Sequence, residues 1–321
     1  MNDVLADGEP RLYHAAVFYH DTGEYLREVS GFVQAGLDGG EPVFVAVPET
    51  RIRLLRDHLG AQAGRVTFAD MTRMGANPAW IIPVVREFVD AYPGRPVCYV
   101  GEPVWETRTT EELNEATRHE ALINLAFADA PARILCPYDT ARLGPAALAA
   151  AEHTHPVVIR GGCPRPSPDY TGTAVLPAEC DQPLPAPPGH AAALAYHHSL
   201  APVRAFVAYH ASRAGLAPAR TADLVLAAHE LTANTLRHTE GGGTLHVWAA
   251  PGEVICQVRD SGHIHDPLVG RRRPAAEASH GQGMWVVHQV CDLVELRTGP
   301  DGSTIRLHMR YTEAAPTGYQ Q

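Results

Sequence analysis

Apolar runs alternate with segments of helical periodicity along residues 12–160. We expect strands at 14–19, 42–47, 65–69, 96–100, 132–136 and 156–159, and helices at 22–37, 50–59, 78–92, 111–127 and 145–153. Strands that are apolar throughout are typical of a mostly parallel sheet with helices on both faces. Because Pro83 falls inside the third helix, it is expected either to kink that helix or to lie in its first turn. The pattern predicts an α/β domain.

The C-terminal part follows a different pattern, in which helices precede strands. We expect helices at 199–214 and 218–238, strands at 244–249 and 254–259, a polar loop at 261–280, a helix at 283–291, and strands at 293–297 and 303–309. Helices on one face of a mixed sheet make an α+β sandwich. The predicted domains are residues 1–163 and 193–312, separated by a proline-dense linker at 164–192 and followed by a disordered tail at 313–321.

Composition is that of a globular protein. The chain has 321 residues, of which 45% are hydrophobic, and a net charge of −10, which argues against direct binding to nucleic acid or an anionic membrane. It has no membrane-spanning apolar run, no signal-peptide features and no Cys-x-x-Cys pair, so a cytoplasmic location is expected. The histidine spacings contain no metal motif, and the pairs at 153/155 and 263/265 are expected to be loop histidines.

Polar residues follow three of the N-terminal strands, at 19–21, 101–105 and 137–140. Ligands of parallel sheets bind at this edge, beyond the carboxyl ends of the strands. No glycine-rich phosphate loop follows any of these strands, so nucleotide binding is not expected in this domain. The polar residues either contact another ligand or only form turns and helix caps, and the pattern does not decide between the two.

The same domain resembles the MEDS domain, a bacterial sensory module of methanogens, methylotrophs and actinobacteria. The segments that carry the resemblance are 18–21 (FYHD), 35–43 (AGLDGGEPV), 68–71 (FADM), 101–105 (GEPVW), 119–127 (HEALINLAF) and 136–140 (CPYDT). It implies a RecA/KaiC-like fold that has lost its nucleotide loop and senses a small molecule. The resemblance suggests a sensory site formed by His20, Glu102, Trp105, His119 and Tyr138. A hydrogen-bonded polar cluster in the core explains His119 equally well.

The predicted helix that ends at residue 238 carries a carboxylate, a carboxamide and two cations on one side. Glu230 and Asn234 are four residues apart and share a face, and Arg237 and His238 follow within one turn. An amide oxygen can ligate Mg²⁺, a carboxylate can accept a proton, and cations can contact phosphate. Alone, the pattern fits a solvated helix face as well.

Three later segments add features of a nucleotide site. Asp260, at the end of a strand, can accept a hydrogen bond from an exocyclic amine, and Gly262 lets a planar base approach the backbone. Gly281 and Gly283 expose amide groups at the start of a helix, where the dipole favours phosphate. Residues 302–304 offer a hydroxyl at the start of the last strand.

Together these segments resemble the Bergerat (GHKL) ATP-binding fold of gyrase, Hsp90, histidine kinases and MutL. The resemblance covers about residues 195–310 and is strongest to the anti-sigma factor serine kinases of actinobacteria, over residues 260–292. It implies ATP and Mg²⁺ as cofactors, with Glu230 as general base and Asn234 as the Mg²⁺ ligand. For the base, the resemblance implies that Asp260 binds the adenine amine, that Gly262 lies beneath the ring, and that Thr304 contacts the Asp260 network through water. For the phosphates, it implies that Gly281 and Gly283 bind them under a mobile lid. Arg237 or His238 would also contact the phosphates. The chain departs from the family where Ile264 replaces the second glycine of the first glycine box.

The resemblance implies a signal-transducing anti-sigma regulator that uses ATP to phosphorylate a serine of an anti-anti-sigma (STAS) protein. Its N-terminal domain would gate this activity by binding a small molecule. The other implied partners are a sigma factor and, as an open alternative, a second copy of the chain. A catalytically weak ATP-binding module is a competing interpretation, favoured by Ile264. A sensor histidine kinase is another, although neither His119 nor His197 lies in a complete phosphoacceptor motif. A metal-dependent enzyme is not indicated by any ligand set in the sequence.

Overall fold

The computed structural model describes residues 12–274 and 281–311, which form two compact units. Of these residues, the first unit comprises 12–75 and 84–176, and the second comprises 76–83 and the described residues from 177 onward. The change between units at residue 177 lies inside the segment predicted as a linker. The predicted tail at 313–321 lies outside the described residues. Within the described ranges, no helix combines the length and apolarity needed to cross a bilayer.

The first unit is built on a seven-stranded sheet. Its strands are β1 (Leu12–Tyr19), β2 (Val43–Val47), β3 (Val66–Asp70), β4 (Val97–Gly101), β5 (Ala132–Asp139), β6 (Val157–Arg160) and β7 (Cys163–Pro166). Their order is β3-β2-β4-β5-β1-β6-β7, and every pairing is parallel except that of β6 with β7. The predicted α/β fold with a mostly parallel sheet is confirmed.

Six helices are interspersed with these strands. They are α1 (Thr22–Asp38), α2 (Glu49–Leu59), α3 (Met71–Met74), α4 (Ile81–Asp90), α5 (Thr110–Ala126) and α6 (Pro145–Thr154). Local sequence explains where they begin. Asp21 caps α1 by accepting a hydrogen bond from the Glu24 amide, and Thr109 and Glu112 form a capping box at α5. Pro83 lies in the first turn of α4, where its missing N–H has no intrahelical role.

The two faces of this sheet carry different chemistry, because side chains alternate along each strand. Val17 and Tyr19 of β1 pack in an apolar core with Tyr25 of α1. His14 lies on the opposite face, where its side chain contacts Glu120 of α5. Ala16 of β1 is aligned with Cys136 of β5, so Cys136 shares the face of His14. This second face therefore brings polar and ionisable groups into the interior.

The second unit contains a five-stranded sheet and three α-helices. The strands are β8 (Ala192–Tyr196), β9 (Gly243–Ala250), β10 (Glu253–Asp260), β11 (Leu293–Gly299) and β12 (Gly302–Arg310), and the helices are α7 (Ala201–Arg213), α8 (Pro218–His238) and α9 (Gly283–Val290). The order is β11-β12-β10-β9-β8 with every pairing antiparallel, so the predicted mixed sheet is wrong in this detail. Short turns join β9 to β10 and β11 to β12, and such hairpins force antiparallel pairing.

One face of this antiparallel sheet packs against the helices. Leu224 and Leu231 of α8 share a core with Cys256 and Val258 of β10 and Leu307 of β12. Because every second side chain of a strand lies on the same face, residues an even number of positions from these core residues also face α8. The predicted α+β sandwich is confirmed, and its helix-covered face positions the candidate nucleotide site.

Candidate functional site

Glu230 and Asn234 lie half-buried on one face of α8, against the first residue of α9. A Cβ atom placed on Gly283 would lie 2.9 Å from Oε2 of Glu230 and 3.2 Å from Nδ2 of Asn234. Only glycine fits there without displacing one of these side chains. The structure therefore brings together three residues that the sequence predicted for one site.

The start of α9 supplies the features of an anion site beside this pair. The helix spans eight residues, and Gln282 at its N-cap does not cap it with its side chain. Gly281, directly before it, has a φ of +83°, a conformation that favours glycine. Backbone amides and the helix dipole at such an end favour negative charge. Residues 275–280, part of the polar loop predicted at 261–280, lie outside the described residues.

Asp260, at the end of β10, is held by a chain of hydrogen bonds. Thr235 Oγ1 donates to Asp260 Oδ2 at 2.5 Å, and Tyr196 Oη donates to Thr235 Oγ1 at 2.9 Å. The amide of Gly262 donates to Asp260 Oδ1 at 2.8 Å. A carboxylate has about four lone-pair positions, so this one can still accept a hydrogen bond from a ligand. Thr235 and Tyr196 were not predicted from the sequence, although Thr235 directly follows Asn234.

The hydroxyl on the same face as Asp260 belongs to Ser303 and not to the predicted Thr304. The register aligns Asp260 with Ser303 and Arg259 with Thr304, so Thr304 lies on the face away from the helices. Ser303 Oγ donates to the carbonyl oxygen of Gly262 at 2.8 Å. The prediction for Thr304 is therefore corrected to Ser303. The apolar alternation along β12 already indicates that Ser303, and not Thr304, faces the helices.

Arg237 and His238, at the end of α8, are exposed. Arg237 Nη1 donates to Asn234 Oδ1 at 3.0 Å, so the guanidinium contacts the amide oxygen predicted to ligate Mg²⁺. His238 is the last residue of α8 and lies at the same end of the helix. Both lie at the predicted end of the helix, and Arg237 contacts another predicted site residue.

Ile264, which replaces a glycine of the family pattern, anchors the loop after β10 to the sheet. Its amide donates to Thr298 Oγ1 at 3.0 Å, and its side chain packs against the core of the second unit. A glycine at this position would leave the loop free of that apolar contact. The replacement of glycine by Ile264 therefore anchors this loop to the core.

The predicted sensory residues divide between the two faces of the first sheet. Glu102, 4% exposed, accepts a hydrogen bond from Tyr19 Oη at 2.9 Å, on the face covered by α1. Arg51 Nη2 donates to the same Tyr19 oxygen at 3.0 Å and pairs with Asp139 at 3.3 Å. Burial raises the pKa of Glu102 to about 7. His20 is exposed near this group, with its Nδ1 3.5 Å from Thr140 Oγ1.

The other predicted sensory residues lie elsewhere. Tyr138 is buried on the opposite face, with its ring edge-on to His155 at a centroid distance of 5.6 Å. His119 is buried on α5. The ring of Trp105 lies under the guanidinium of Arg108 at 3.7 Å. The five residues do not form one site, and Tyr19, Arg51 and Asp139, which surround Glu102, were not predicted as site residues.

Two family models match the chain. Residues 13–156 match the MEthanogen/methylotroph, DcmR Sensory domain (MEDS), and residues 193–309 match the histidine kinase-like ATPase domain. The chain joins a MEDS domain to a histidine kinase-like ATPase domain. The resemblances to the MEDS domain and to the histidine kinase-like ATPase fold are thereby confirmed. The ATPase domain contains all of the predicted nucleotide-site residues, and the MEDS domain contains all five predicted sensory residues.

No curated protein matches the chain. Among solved structures, one similar chain is that of the RsbU and RsbW domains of Rv1364c from Mycobacterium tuberculosis. The two sequences are 19% identical over the match, and the TM-score is 0.30. The match covers 38% of the present chain and 33% of the mycobacterial chain.

Proposed function

We propose that the chain is a signalling regulator whose ATPase domain binds Mg-ATP and phosphorylates a serine of an anti-anti-sigma protein. A small molecule bound by the MEDS domain would control this activity. The observation that carries the proposal is the contact of Gly283 with both Glu230 and Asn234. It brings a carboxylate, a carboxamide and the N-terminus of α9 together inside a histidine kinase-like ATPase domain.

The residues present fit a magnesium nucleotide. Asp260 offers remaining acceptor capacity for an adenine amine, and the start of α9 offers amides for phosphate. Asn234 offers an amide oxygen for Mg²⁺ once Arg237 releases it. Arg237 would then be free to approach the phosphates. When bound, ATP would supply the phosphoryl group, with Mg²⁺ neutralising charge that develops during transfer.

In this proposal Glu230 accepts the proton of the serine hydroxyl. Glu230 is half-buried beside Asn234 and Gly283, so it lies next to both the metal ligand and the phosphate-binding end of α9. A base must lie within hydrogen-bond reach of the proton it removes. Thr235 and Tyr196 act indirectly by holding the Asp260 carboxylate in one orientation.

A nucleotide-binding module without phosphotransfer is the second candidate, and Ile264 favours it. Its hydrogen bond to Thr298 and its apolar contact restrain the loop that precedes the predicted lid. A restrained loop would hinder closure over the phosphates, which is needed for transfer more than for binding. In either case we propose that the protein acts in the cytoplasm on a sigma factor and an anti-anti-sigma partner, and that it pairs with a second copy of itself.

Titration calorimetry and a phosphotransfer assay on the full chain test the proposal. We expect heat with ATP plus Mg²⁺, a loss of affinity of about tenfold or more in Asn234→Ala, and unchanged binding in the exposed control Glu240→Gln. With an anti-anti-sigma protein and [γ-³²P]ATP, Glu230→Gln should bind ATP but transfer label roughly 10²-fold more slowly.

Each other outcome selects a different interpretation. Binding without transfer in the unaltered chain selects the binding module. Acid-labile label on the chain itself selects a histidine kinase. A folded chain that gives no heat with Mg-ATP contradicts the nucleotide site altogether.

A further inference from the structure

Four side chains from separate parts of the first unit meet inside the protein, on the sheet face covered by α5 and α6. They are His14 on β1, Glu120 on α5, Cys136 on β5 and His155 directly after α6. Each is at most 1% exposed. One ligand atom from each residue lies within 4.8 Å of the others. The cluster is separate from the Glu102 group and takes no part in the proposed phosphotransfer.

The spacing of these atoms matches the edges of a metal coordination tetrahedron. Glu120 Oε2 lies 3.3 Å from His14 Nε2, 3.4 Å from Cys136 Sγ and 3.4 Å from His155 Nε2. Cys136 Sγ lies 3.6 Å from His14 Nε2. Zn–N and Zn–O bonds of about 2.0–2.1 Å and Zn–S bonds of about 2.3 Å give tetrahedral edges of roughly 3.3–3.6 Å. Four of the six edges therefore already have that length.

Hydrogen bonds outside the cluster fix the tautomers of both histidines. Asn124 donates through Nδ2 to the carbonyl oxygen of Thr154, which orients its Oδ1 as the acceptor for His14 Nδ1 at 3.0 Å. His155 Nδ1 lies 2.8 Å from the carbonyl oxygen of Ala151, which can only accept. Both Nδ1 atoms therefore carry hydrogen, and in the neutral rings both Nε2 lone pairs point into the cluster. Metal-binding histidines are commonly oriented in this way.

When both rings are neutral, their Nε2 lone pairs face the Glu120 carboxylate, so acceptors lie against acceptors. Within the described part of the chain, neither His155 Nε2 nor Glu120 Oε1 makes a hydrogen bond of acceptable geometry, although His155 Nε2 is close to Oε2 of the same carboxylate. Buried acceptors that approach each other need either a proton or a metal cation between them. A divalent ion with one carboxylate, one thiolate and two neutral imidazoles forms a site of zero net charge, which can be buried at low cost.

We propose that His14, Glu120, Cys136 and His155 bind one divalent transition-metal ion, zinc in the first instance, as a closed site in the MEDS domain. Binding displaces the Cys136 thiol proton to solvent, and Glu120 enters as a carboxylate. Two imidazoles, a thiolate and a carboxylate suit zinc better than magnesium or calcium, which take oxygen ligands. Because all four ligands come from the protein, the ion holds β1, β5, α5 and the end of α6 together.

Metal analysis of the full chain tests this directly. The chain is purified without a histidine tag, and its metals are measured by inductively coupled plasma mass spectrometry. We expect about one zinc ion per chain. Growth with Co²⁺ in place of zinc should give a protein with the visible d–d bands of tetrahedral cobalt and a near-ultraviolet thiolate-to-cobalt band.

Substitutions and chelation test whether these four residues, and not other side chains, hold the zinc ion. Cys136→Ser and His155→Gln should reduce bound zinc to below about 0.1 per chain, whereas the controls Cys163→Ser and His153→Gln should retain it. Chelation of the unaltered chain should lower its melting temperature, and added Zn²⁺ should restore it. Because it uses the unaltered chain, the change in melting temperature tests the metal site even if a variant fails to fold. A folded chain that contains no transition metal, and whose melting temperature responds to neither Zn²⁺ nor chelator, would overturn the proposal and leave a proton-bridged polar cluster.

Discussion

Thr235 donates a hydrogen bond of 2.5 Å to the carboxylate of Asp260, and so ties helix α8 to the end of strand β10. The same hydroxyl accepts a hydrogen bond from Tyr196 on β8. Three elements of the ATPase domain thus converge on the carboxylate that we propose to contact adenine.

Thr235→Val should therefore weaken ATP binding although Thr235 is not proposed to contact the nucleotide. Valine keeps the shape but removes the donor to Asp260 and the acceptor for Tyr196. A loss of about 1–2 kcal/mol, or roughly 5- to 30-fold in the dissociation constant, is expected. Calorimetry with Mg-ATP measures it, with the partly buried Thr244→Val as control. Unchanged affinity in a folded Thr235→Val chain would show that the position of Asp260 does not limit binding.

Gly283→Ala should reduce ATP binding by placing a methyl group between α9 and the two side chains of α8. The added carbon would lie 2.9 Å from Glu230 Oε2 and 3.2 Å from Asn234 Nδ2, so those side chains must move. We expect at least about a tenfold loss of affinity with little loss of stability, because alanine is otherwise favourable in a helix. Gly299→Ala is the matched control, since a Cβ there contacts nothing within 4 Å. Equal affinities for the two variants would contradict the proposed arrangement.

The sequence predicts most of the helices and strands because their apolar periodicity is strong, but it misses the strands whose pairing depends on the rest of the fold. The Ala-Ala-Leu-Ala-Tyr stretch of β8 has little intrinsic strand preference and becomes a strand by pairing with β9. β7 contains Pro164 and Pro166, which favour a linker but are tolerated at the sheet edge that β7 forms.

The candidate sites differ in how far the sequence reveals them. Glu230 and Asn234 share one helix, so helical spacing alone places them together. His14 and Glu120 are 106 residues apart and meet only through strand order and helix packing. His155, expected to be a loop histidine, is fully buried at the end of α6 because its backbone and ring both bond to Ala151. No local spacing could have predicted that cluster.

Asp292→Ala should strongly destabilise the ATPase domain. Asp292 is buried, pairs with the guanidinium of Arg220 and accepts a hydrogen bond from the amide of Arg310 at 2.7 Å. Its removal leaves Arg220 with the more exposed Asp223 as a carboxylate partner, and breaking a buried ion pair costs up to about 3–5 kcal/mol. Native-state hydrogen exchange of the β10 and β12 amides reports the opening free energy of this unit. Asp90→Ala, in an exposed pair with Arg86, should change stability by less than about 1 kcal/mol. Similar exchange in both variants would rule out a stabilising role for the buried pair.

Glu102→Gln should change how stability depends on pH. Burial raises the pKa of Glu102 from 4.5 to about 7 in the folded chain. A carboxyl whose folded pKa is raised stabilises the fold fully below its unfolded pKa, and this contribution is lost as pH rises through the folded pKa. A shift of this size corresponds to roughly 3 kcal/mol at most. The unaltered chain should therefore lose stability between about pH 5 and pH 8 relative to Glu102→Gln, as followed by melting temperatures across that range. The exposed control Glu106→Gln should keep the pH profile of the unaltered chain. Parallel profiles for the Glu102 variant and the unaltered chain would mean that Glu102 is ionised in the fold across this range.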